Sequence, residues 1–293
     1  MPKRISDADP TPIRVVIVTL DTHLSNAVDT ARRKLKRELP GLDLQLHAAA
    51  EWGGNPAALE RCLEDIAKGD LIFVSMLFVE DHINAVMPAL LARRDHCDAM
   101  VGCMSAAEVV KLTRMGSLVM GGPQTGALAF LKRLHSAKKN KGGSAGTRQM
   151  AMLRRLPRIL KYIPGKAQGL RAYFLTLQYW LACSDENVVN LVRFLVGQFA
   201  AGPRADLRKT VKVAAKPAEY PETGLYSPKL PNRVTENPAD LPSGPGKAKG
   251  AVGLLLMRSY VLAGDTAHYD GVIEALEARG LRVVPAFAFG LDA

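Results

Sequence analysis

The stretch IRVVIVTL, residues Ile13–Leu20, is a nearly continuous apolar run near the start of the chain. Such a run is typical of a strand that is buried on both faces of a parallel sheet. Over residues 24–39 the apolar positions then recur at helical spacing, with arginines and lysines on the opposite side, until Pro40 and Gly41 end the pattern. The two segments together predict the first strand and helix of an α/β domain.

The same alternation continues through the first 130 residues. The further predicted strands are Leu42–Ala48, Leu71–Met76 and Ala99–Met104, and the predicted helices are Ala57–Lys68, Asp81–Arg94 and Ser105–Arg114. Alternation at this pitch favours a doubly wound parallel sheet with right-handed crossovers. We therefore assign residues 13–135 to a Rossmann-like α/β domain, and we expect residues 1–12 to be a disordered leader.

The composition changes after this domain. Residues 136–201 combine a basic, glycine-rich loop with a helical segment, which we expect to break near Asp185. One helical face of this segment is more typical of core than of a ligand platform; it carries Tyr173, Leu177, Trp180 and Leu181. Residues 202–250 hold many prolines and few apolar runs, which predicts a long, extended Pro-rich connector over the surface.

The C-terminal residues predict one β-α-β crossover. Strands are predicted at Gly253–Met257 and Leu281–Phe287, and Gly280 is suited to end the helix between them in the left-handed conformation. One face of that helix carries Tyr269, Val272, Ile273 and Leu276. One such crossover is not stable alone. We therefore expect residues 251–293 to be the truncated start of a second α/β domain, with Val283, Val284, Phe287 and Phe289 lacking a sheet to pack in.

Composition limits the location and the redox chemistry. The chain has 293 residues, of which 48% are hydrophobic, and no apolar run long enough to span a membrane. The N-terminal residues lack the apolar core of a secretory signal, so we predict a cytoplasmic protein. The four cysteines show no CxxC spacing, and we expect reduced, mostly buried thiols rather than disulfides or a zinc site. They are Cys62, Cys97, Cys103 and Cys183.

The net charge of +11 is concentrated in one stretch. Lys132–Arg171 carries twelve basic residues and no acid. Such a stretch can attract nucleic acid, anionic lipid or an acidic protein, which would make the chain a non-enzymatic binding module. A solvated loop and helix flank is the simpler interpretation, and nucleic acid is not the partner we expect.

Two groups of residues are candidates for chemistry. Glu80, Asp81 and His82 follow the third predicted strand, where the carboxyl ends of a parallel sheet form a ligand crevice, and they suit a metal or proton-transfer site. A capping and first-turn role is the alternative. His268 lies in the first turn of the last helix and is a further candidate ligand. The glycine-rich stretch Met120–Gly126 lacks the Walker A lysine and hydroxyl, so we interpret it as a turn.

Several long stretches of the chain resemble the family of magnesium chelatase large subunits, known as H subunits. They are VVIVTLDTHLSNAV (Val15–Val28), SMLFVEDHINAVMPAL (Ser75–Leu90), SAAEVVKLTRMG (Ser105–Gly116), LQYWLACSDENVVNLVRFL (Leu177–Leu195), YPETGLYSP (Tyr220–Pro228) and LLMRSYVLAGDTAHYDGVIEALEARGLRVVPAFAFGLD (Leu255–Asp292). The last of these is also similar to the cobaltochelatase large subunit, and the N-terminal stretches favour the magnesium enzyme.

The resemblance implies a porphyrin-binding subunit that takes part in inserting Mg²⁺ into protoporphyrin IX for chlorophyll or bacteriochlorophyll synthesis. Two partner subunits of the AAA+ class, I and D, would hydrolyse the ATP. Family members are several times longer, so the resemblance implies an N-terminal fragment that is inactive alone, with the catalytic and porphyrin-contacting residues expected beyond Ala293. No catalytic residue of the family maps onto this chain.

Overall fold

The computed structural model describes residues 10–121, 160, 166–182, 184–242 and 248–288. Two sheets organise these residues. The first has the order β2-β1-β3-β4-β5-β6 and the second the order β8-β7-β10-β9. We call the first sheet with the helices that pack on it the first unit, and the second sheet with the helices that connect and cover its strands the second unit.

The first four strands of the first sheet are parallel, and β1 lies between β2 and β3. These strands are β1 (Ile13–Thr19), β2 (Leu42–Ala48), β3 (Leu71–Ser75) and β4 (Ala99–Cys103). The helices that connect them are α1 (Ser25–Leu35), α2 (Pro56–Lys68) and α3 (Glu80–Arg94). The predicted strand–helix alternation is confirmed, and the chain is of the α/β class.

Strand β1 explains why its sequence is apolar without a break. Val15 and Ile17 belong to the core that includes α1, whereas Val16 and Val18 belong to the core under α2 and α3. Neighbouring residues of a strand point to opposite faces, so a strand with helices on both sides needs apolar residues at every position. The first sheet is therefore doubly wound, as predicted.

The segment after β4 differs from the prediction of a helix at Ser105–Arg114. Helix α4 covers only Ala107–Lys111, and an antiparallel hairpin of β5 (Arg114–Met115) and β6 (Leu118–Val119) then extends the sheet beyond β4. Just after the helix, the Thr113 hydroxyl donates to the Gly102 carbonyl at 3.1 Å and accepts from the Gly102 amide at 3.0 Å, which holds the chain against β4. Two-residue strands are too short to leave an alternating pattern.

Two later helices complete the α1 face of the first sheet. They are α5 (Lys166–Ala182) and α6 (Asp185–Phe199). The ring of Trp180 lies 4.6 Å from that of Phe73 on β3, which confirms that this helical face is core. The predicted break is also present, and the Ser184 side chain caps α6 by accepting from the Asn187 amide. The helical segment thus supplies a layer of the first unit.

The Pro-rich connector is held against α6 by buried amide side chains. Asn187 accepts from the Ala218 amide at 2.9 Å and donates to its carbonyl at 3.1 Å. Asn190 accepts from the Ala215 amide at 3.0 Å. An extended segment makes no regular backbone hydrogen bonds within itself, so these side chains supply the bonds that a neighbouring strand would otherwise make. The connector was predicted to be extended, and here it is extended and fixed in place.

Other parts of the connector have regular structure that the sequence did not predict. A short helix α7 (Leu207–Thr210) is followed by β7 (Thr223–Tyr226) and β8 (Val234–Thr235), which form a hairpin. Strand β7 pairs antiparallel with β10 of the second unit. The connector therefore contributes half of the strands of the second sheet.

The second sheet also contains the predicted crossover. Its remaining elements are β9 (Gly250–Met257), α8 (Arg258–Ala263), α9 (Ala267–Ala278) and β10 (Leu281–Ala288). Gly280 has a φ of +80°, which confirms the predicted left-handed residue after the helix. Val283, Val284 and Phe287 lie in β10, and Val283 and Phe287 are buried with Tyr226 of β7, so the expectation that they lack a sheet is wrong. Phe289 lies outside the described residues. The predicted face of α9 is also only partly right, because Val272 is exposed.

Some predictions fall outside the described residues. These are the leader at 1–9, residues 122–126 of the glycine-rich turn, Cys183 and most of the basic stretch Lys132–Arg171. Within the described ranges, no helix is long and apolar enough to cross a membrane. The three described cysteines are free and buried, and burial raises the pKa of Cys62 and of Cys103 to about 12. Thiols with such pKa values are protonated at neutral pH and unreactive.

Candidate functional site at the junction of the two units

The first sheet has a topological switch point between β1 and β3. After β1 the chain moves to one side to form β2, and after β2 it returns to the other side to form β3. The connection that leaves β1 thus runs to β2 on one side, whereas the connection that leaves β3 runs to β4 on the other side, so a crevice opens outside the carboxyl ends of β1 and β3. In open α/β sheets this is the usual position of a binding site.

The backbone is strained beside this crevice. Met76 and Met104 directly follow β3 and β4, and their φ angles are +63° and +44°. The Met76 amide donates to the Met104 carbonyl at 2.9 Å, which holds the two residues together. Non-glycine residues rarely adopt positive φ, and such strain is concentrated at functional sites. The neighbouring side chains of Phe78 and Val79 are exposed and add apolar surface.

The second unit contacts the first beside the carboxyl end of β1. The His23 ring stacks on Tyr260 of α8, with the centroids 5.1 Å apart and the planes 27° from parallel. Tyr260 also lies 5.5 Å from His268, and His268 lies 3.9 Å from Tyr269. Four rings from both units thus form one cluster, which we call the junction cluster.

A carboxylate stands beside this cluster. Asp21 pairs with the Nδ1 atom of His23. Burial opposes ionisation of Asp21, but the hydrogen bond and the charge of His23 outweigh it and lower the pKa of the carboxyl group. Burial raises the pKa of Tyr260, and the negative charges of Asp21 and Asp265 raise it further. The junction thus contains an imidazole paired with a carboxylate, and such a pair can hold a proton. It also contains aromatic rings, which can stack on a flat group.

The predicted candidates after β3 do not converge. Glu80 and Asp81 are exposed in the first turn of α3. His82 is half-buried and lies edge-on to Trp52 at 5.7 Å, while its Nδ1 atom is buried without a hydrogen-bond partner in the described structure. The two carboxylates therefore face solvent, whereas the imidazole faces Trp52 in the segment before α2. A metal or proton-transfer role for them stays a prediction.

His268 is the candidate that the structure places near other functional groups. It is exposed at the start of α9 and belongs to the junction cluster. The sequence did not indicate Asp21, His23 or Tyr260, because the two halves of the cluster are far apart along the chain. The polar segment after β1, which contains Asp21 and His23, was the local pattern that could have indicated the site. Among the residues with assigned positions, no three His, Cys, Asp or Glu side chains are grouped closely enough to hold a metal ion.

A cavity of about 400 Å³ lies between β2 and α2. At its wall His47 Nε2 lies 2.9 Å from Asp65 Oδ2, and Arg14 Nη1 lies 3.1 Å from Asp65 Oδ1. Burial lowers the pKa of His47, and although Asp65 counteracts this effect, the charge of Arg61 adds to it. These residues come from β1, β2 and α2, so no local sequence motif marks the cavity.

Comparison with known proteins defines the class to which this α/β fold belongs. A family model described as "Domain of unknown function (DUF3479)" matches residues 14–174, more than half of the chain. The chain belongs to this family. A second family model, described as "CobN/Magnesium Chelatase", matches residues 177–293. The two models meet within α5.

The individual relatives are H subunits of magnesium chelatases. The chain is 50% identical to the magnesium-chelatase H subunit of Cereibacter sphaeroides and 45% identical to that of Rhodobacter capsulatus, in each case over 95% of this chain. It is 30% identical to the chloroplastic ChlH subunit of Oryza sativa over 96% of this chain. The resemblance to the magnesium chelatase large subunit is confirmed.

The chain spans only a part of these relatives. It covers 23% of the length of the two bacterial subunits and 21% of the rice subunit. Among solved structures, the catalytic subunit of cobaltochelatase from Mycobacterium tuberculosis is 12% identical with a TM-score of 0.42, over 96% of this chain and 16% of that one. The similarity of the closing stretch to cobaltochelatases agrees with the second family model.

Proposed function

We propose that this chain is the N-terminal part of the porphyrin-binding large subunit, the H subunit, of a magnesium chelatase. The subunit would take part in inserting Mg²⁺ into protoporphyrin IX in chlorophyll or bacteriochlorophyll synthesis. The observation that carries this proposal is the 50% identity to the Cereibacter sphaeroides H subunit, maintained over 95% of the chain. Mg²⁺ and protoporphyrin IX are the substrates, and two AAA+ partners, the I and D subunits, supply ATP hydrolysis in the cytoplasm.

The chemistry of the reaction explains why a large subunit is needed. Mg²⁺ keeps its waters in near-ideal octahedral geometry and releases them reluctantly, so insertion needs an enclosed site that replaces them. Two pyrrole protons must also leave the macrocycle, which needs a nearby base. We infer that this chain serves as one wall or as a docking surface of that enclosure. Its two units contact each other through the junction cluster, so a movement of one unit against the other would change the stacking of these rings.

The candidate residues keep a limited role in this proposal. Glu80, Asp81, His82 and His268 are candidates for metal contact or proton transfer. The groups that remove the pyrrole protons and line most of the porphyrin cavity are expected in the rest of the longer protein. The isolated chain should therefore form no Mg-protoporphyrin, even when both ATPase partners and ATP are present.

A hybrid protein tests the proposal directly. The aligned segment of the Cereibacter sphaeroides large subunit is replaced by this chain, and Mg-protoporphyrin formation is followed by fluorescence with the I and D partners, ATP and Mg²⁺. We expect the hybrid to keep activity within about tenfold of the parent, a loss of no more than about 1.4 kcal/mol in transition-state stabilisation. Deletion of the same segment is the matched control and should abolish the activity.

The hybrid also defines what would contradict the proposal. A hybrid that folds like the parent by circular dichroism and melting, yet forms no Mg-protoporphyrin, would show that this chain does not perform the role of the segment it replaced. Formation of Mg-protoporphyrin by the isolated chain would contradict the expectation that the chemistry needs the rest of the large subunit.

A further inference from the structure

The second sheet is covered on one face only. Leu256, Val283 and Phe287 point to the face on which α9 packs, and Ile273 of α9 is buried against them. The register pairs Leu256 with Phe287 and Val252 with Val283, so these residues share a face. The other face of the sheet has no helix over it in the described structure.

The uncovered face is apolar. Its most exposed residues are Leu255 and Met257 of β9, with 66% and 60% of their surfaces exposed. The register pairs them with Ala286 and Ala288 of β10. Parallel strand pairs occur almost only where both faces of a sheet are covered, so a bare apolar face on β9 and β10 is exceptional.

The edge beside this face is also open. Among the residues that the structure describes, strand β9 is the last strand of the second sheet and pairs with β10 alone. It is long, it contains neither proline nor charge, and it carries exposed leucine and methionine side chains. Natural proteins protect edges of this kind by covering or pairing them. A partner that supplies both a strand and a helix would therefore cover the edge and the face together.

The first sheet shows which partner fits. There β1 leads to β2 on one side through α1, and the chain then returns through α2 on the opposite face to place β3 beside β1. Right-handed crossovers require this change of face whenever the direction across the sheet reverses. In the second sheet β9 leads to β10 through α9 in the same way. A parallel strand on the free edge of β9 would therefore bring its helix onto the bare face.

We propose that the bare face and the free edge of β9 bind one further α/β unit from the remainder of a full-length magnesium chelatase large subunit. The unit would lay an amphipathic helix over Leu255, Met257 and Ala286 and pair a parallel strand with β9. Gly253 and Ala286 carry almost no side chain and allow close approach, and the exposed Arg282 on the same face favours an acidic residue at one end of the helix. This inference rests on the proposed function, because the partner is the part of the large subunit that this chain does not cover.

Hydrogen exchange tests the proposal without an activity assay. Exchange of the amides in Gly250–Met257 is measured by mass spectrometry in the isolated chain and in the hybrid protein described above. We expect exchange in the hybrid to be slower by at least tenfold, because the outer amides of β9 gain partners and the face loses its water. Amides of β1, which is internal in both proteins, should exchange alike and serve as the internal control.

A pair of variants shows whether the side chains carry the contact. The double variant Leu255→Glu, Met257→Glu should leave the melting temperature of the isolated chain unchanged within about 2 °C, since both positions are exposed there. In the hybrid it should remove the protection of β9. Val213→Glu is the matched control, because Val213 is 94% exposed in the connector and should change neither protein.

Two outcomes would overturn the proposal. Equal exchange of β9 in both proteins would mean that no unit of the large subunit covers it. Protection in the isolated chain that rises with its concentration and is abolished by the double variant would assign the face to a second copy. Either result is compatible with an active hybrid, so failure of this inference is distinguishable from failure of the proposed function.

Discussion

The two units of this chain use the same β-α-β arrangement, but they differ in how completely it is covered. In the first unit α1, α5 and α6 pack on one face of the sheet and α2 and α3 on the other. In the second unit α9 covers one face, and the other carries exposed Leu255 and Met257. Burial of apolar surface is the main source of stability. A shared topology therefore does not bring equal stability.

The link between the units adds to this contrast. The second sheet takes β7 and β8 from the segment that is also bound to α6 through Asn187 and Asn190. The less covered unit is thus tied to the more covered one by a chain segment that belongs to both. Damage to the link should therefore affect the second unit more than the first.

The largest expected effect is in the core of the first unit. Phe73→Ala removes a fully buried ring that contacts Trp180, and should lower the free energy of unfolding by about 3–5 kcal/mol through lost burial and the cavity that remains. Leu255→Ala in the second unit is the control and should cost less than about 0.5 kcal/mol, because that side chain is exposed. Urea denaturation measures both. Similar losses in the two variants would refute the contrast between the units.

An intermediate effect is expected at the link. Asn187→Ala leaves the half-buried Ala218 amide and carbonyl without their partners, and because water can replace part of these bonds we expect a loss of about 1 kcal/mol, the low end of the cost of an unsatisfied buried group. Limited proteolysis should then cut near residues 213–218 faster than in the parent, and exchange of β10 amides should rise more than that of β1. Asn84→Ala, at an exposed position on α3, is the matched control. Unchanged cleavage would show that the connector does not depend on α6.

The smallest effect is a pH dependence confined to the first unit. Burial keeps the pKa of His47 below its unfolded value of about 6.5, so the unfolded chain takes up the proton first as the pH falls. The contribution of His47 should therefore be complete above about pH 6.5 and decline as the pH drops toward its folded pKa.

Urea midpoints at pH 7.5 and pH 5.5 check this dependence. His47→Gln should show a smaller fall between the two values than the parent chain, and His96→Gln, at an exposed position, should behave like the parent. Equal falls in the parent chain and in His47→Gln would assign the pH dependence to other groups.

Much of the first unit could be predicted because its signals are local. The bounds of β2 match the prediction, and those of β1, β3, α2 and α3 agree within a residue or two, since buried strands and amphipathic helices leave strong patterns. The hairpin of β5 and β6 could not be predicted, because two residues show no periodicity. Strands β7 and β8 were hidden for a related reason, since prolines surround them and their partner β10 lies far along the chain.

The candidate site was less predictable than the fold. The sequence placed the polar residues after β3 at the carboxyl end of the sheet, and they lie there. Glu80 is exposed to solvent, however, whereas His82 is half-buried beside Trp52. The stacking of His23 on Tyr260 joins residues from opposite ends of the chain. A contact of that kind depends on how the two units meet, which no pattern within either unit records.

Sequence patterns alone were enough to specify the α/β class, the helix break near Asp185, the left-handed turn at Gly280 and the resemblance to the magnesium chelatase large subunit. Each of these depends on neighbouring residues, on the period of apolar positions or on long matching stretches. Three features emerged only from the packed structure: α5 and α6 cover the first sheet, the connector completes the second, and within the described ranges no helix covers one face of β9. These features depend on which surfaces remain to be buried once the local elements have formed, and burial is a property of the whole chain.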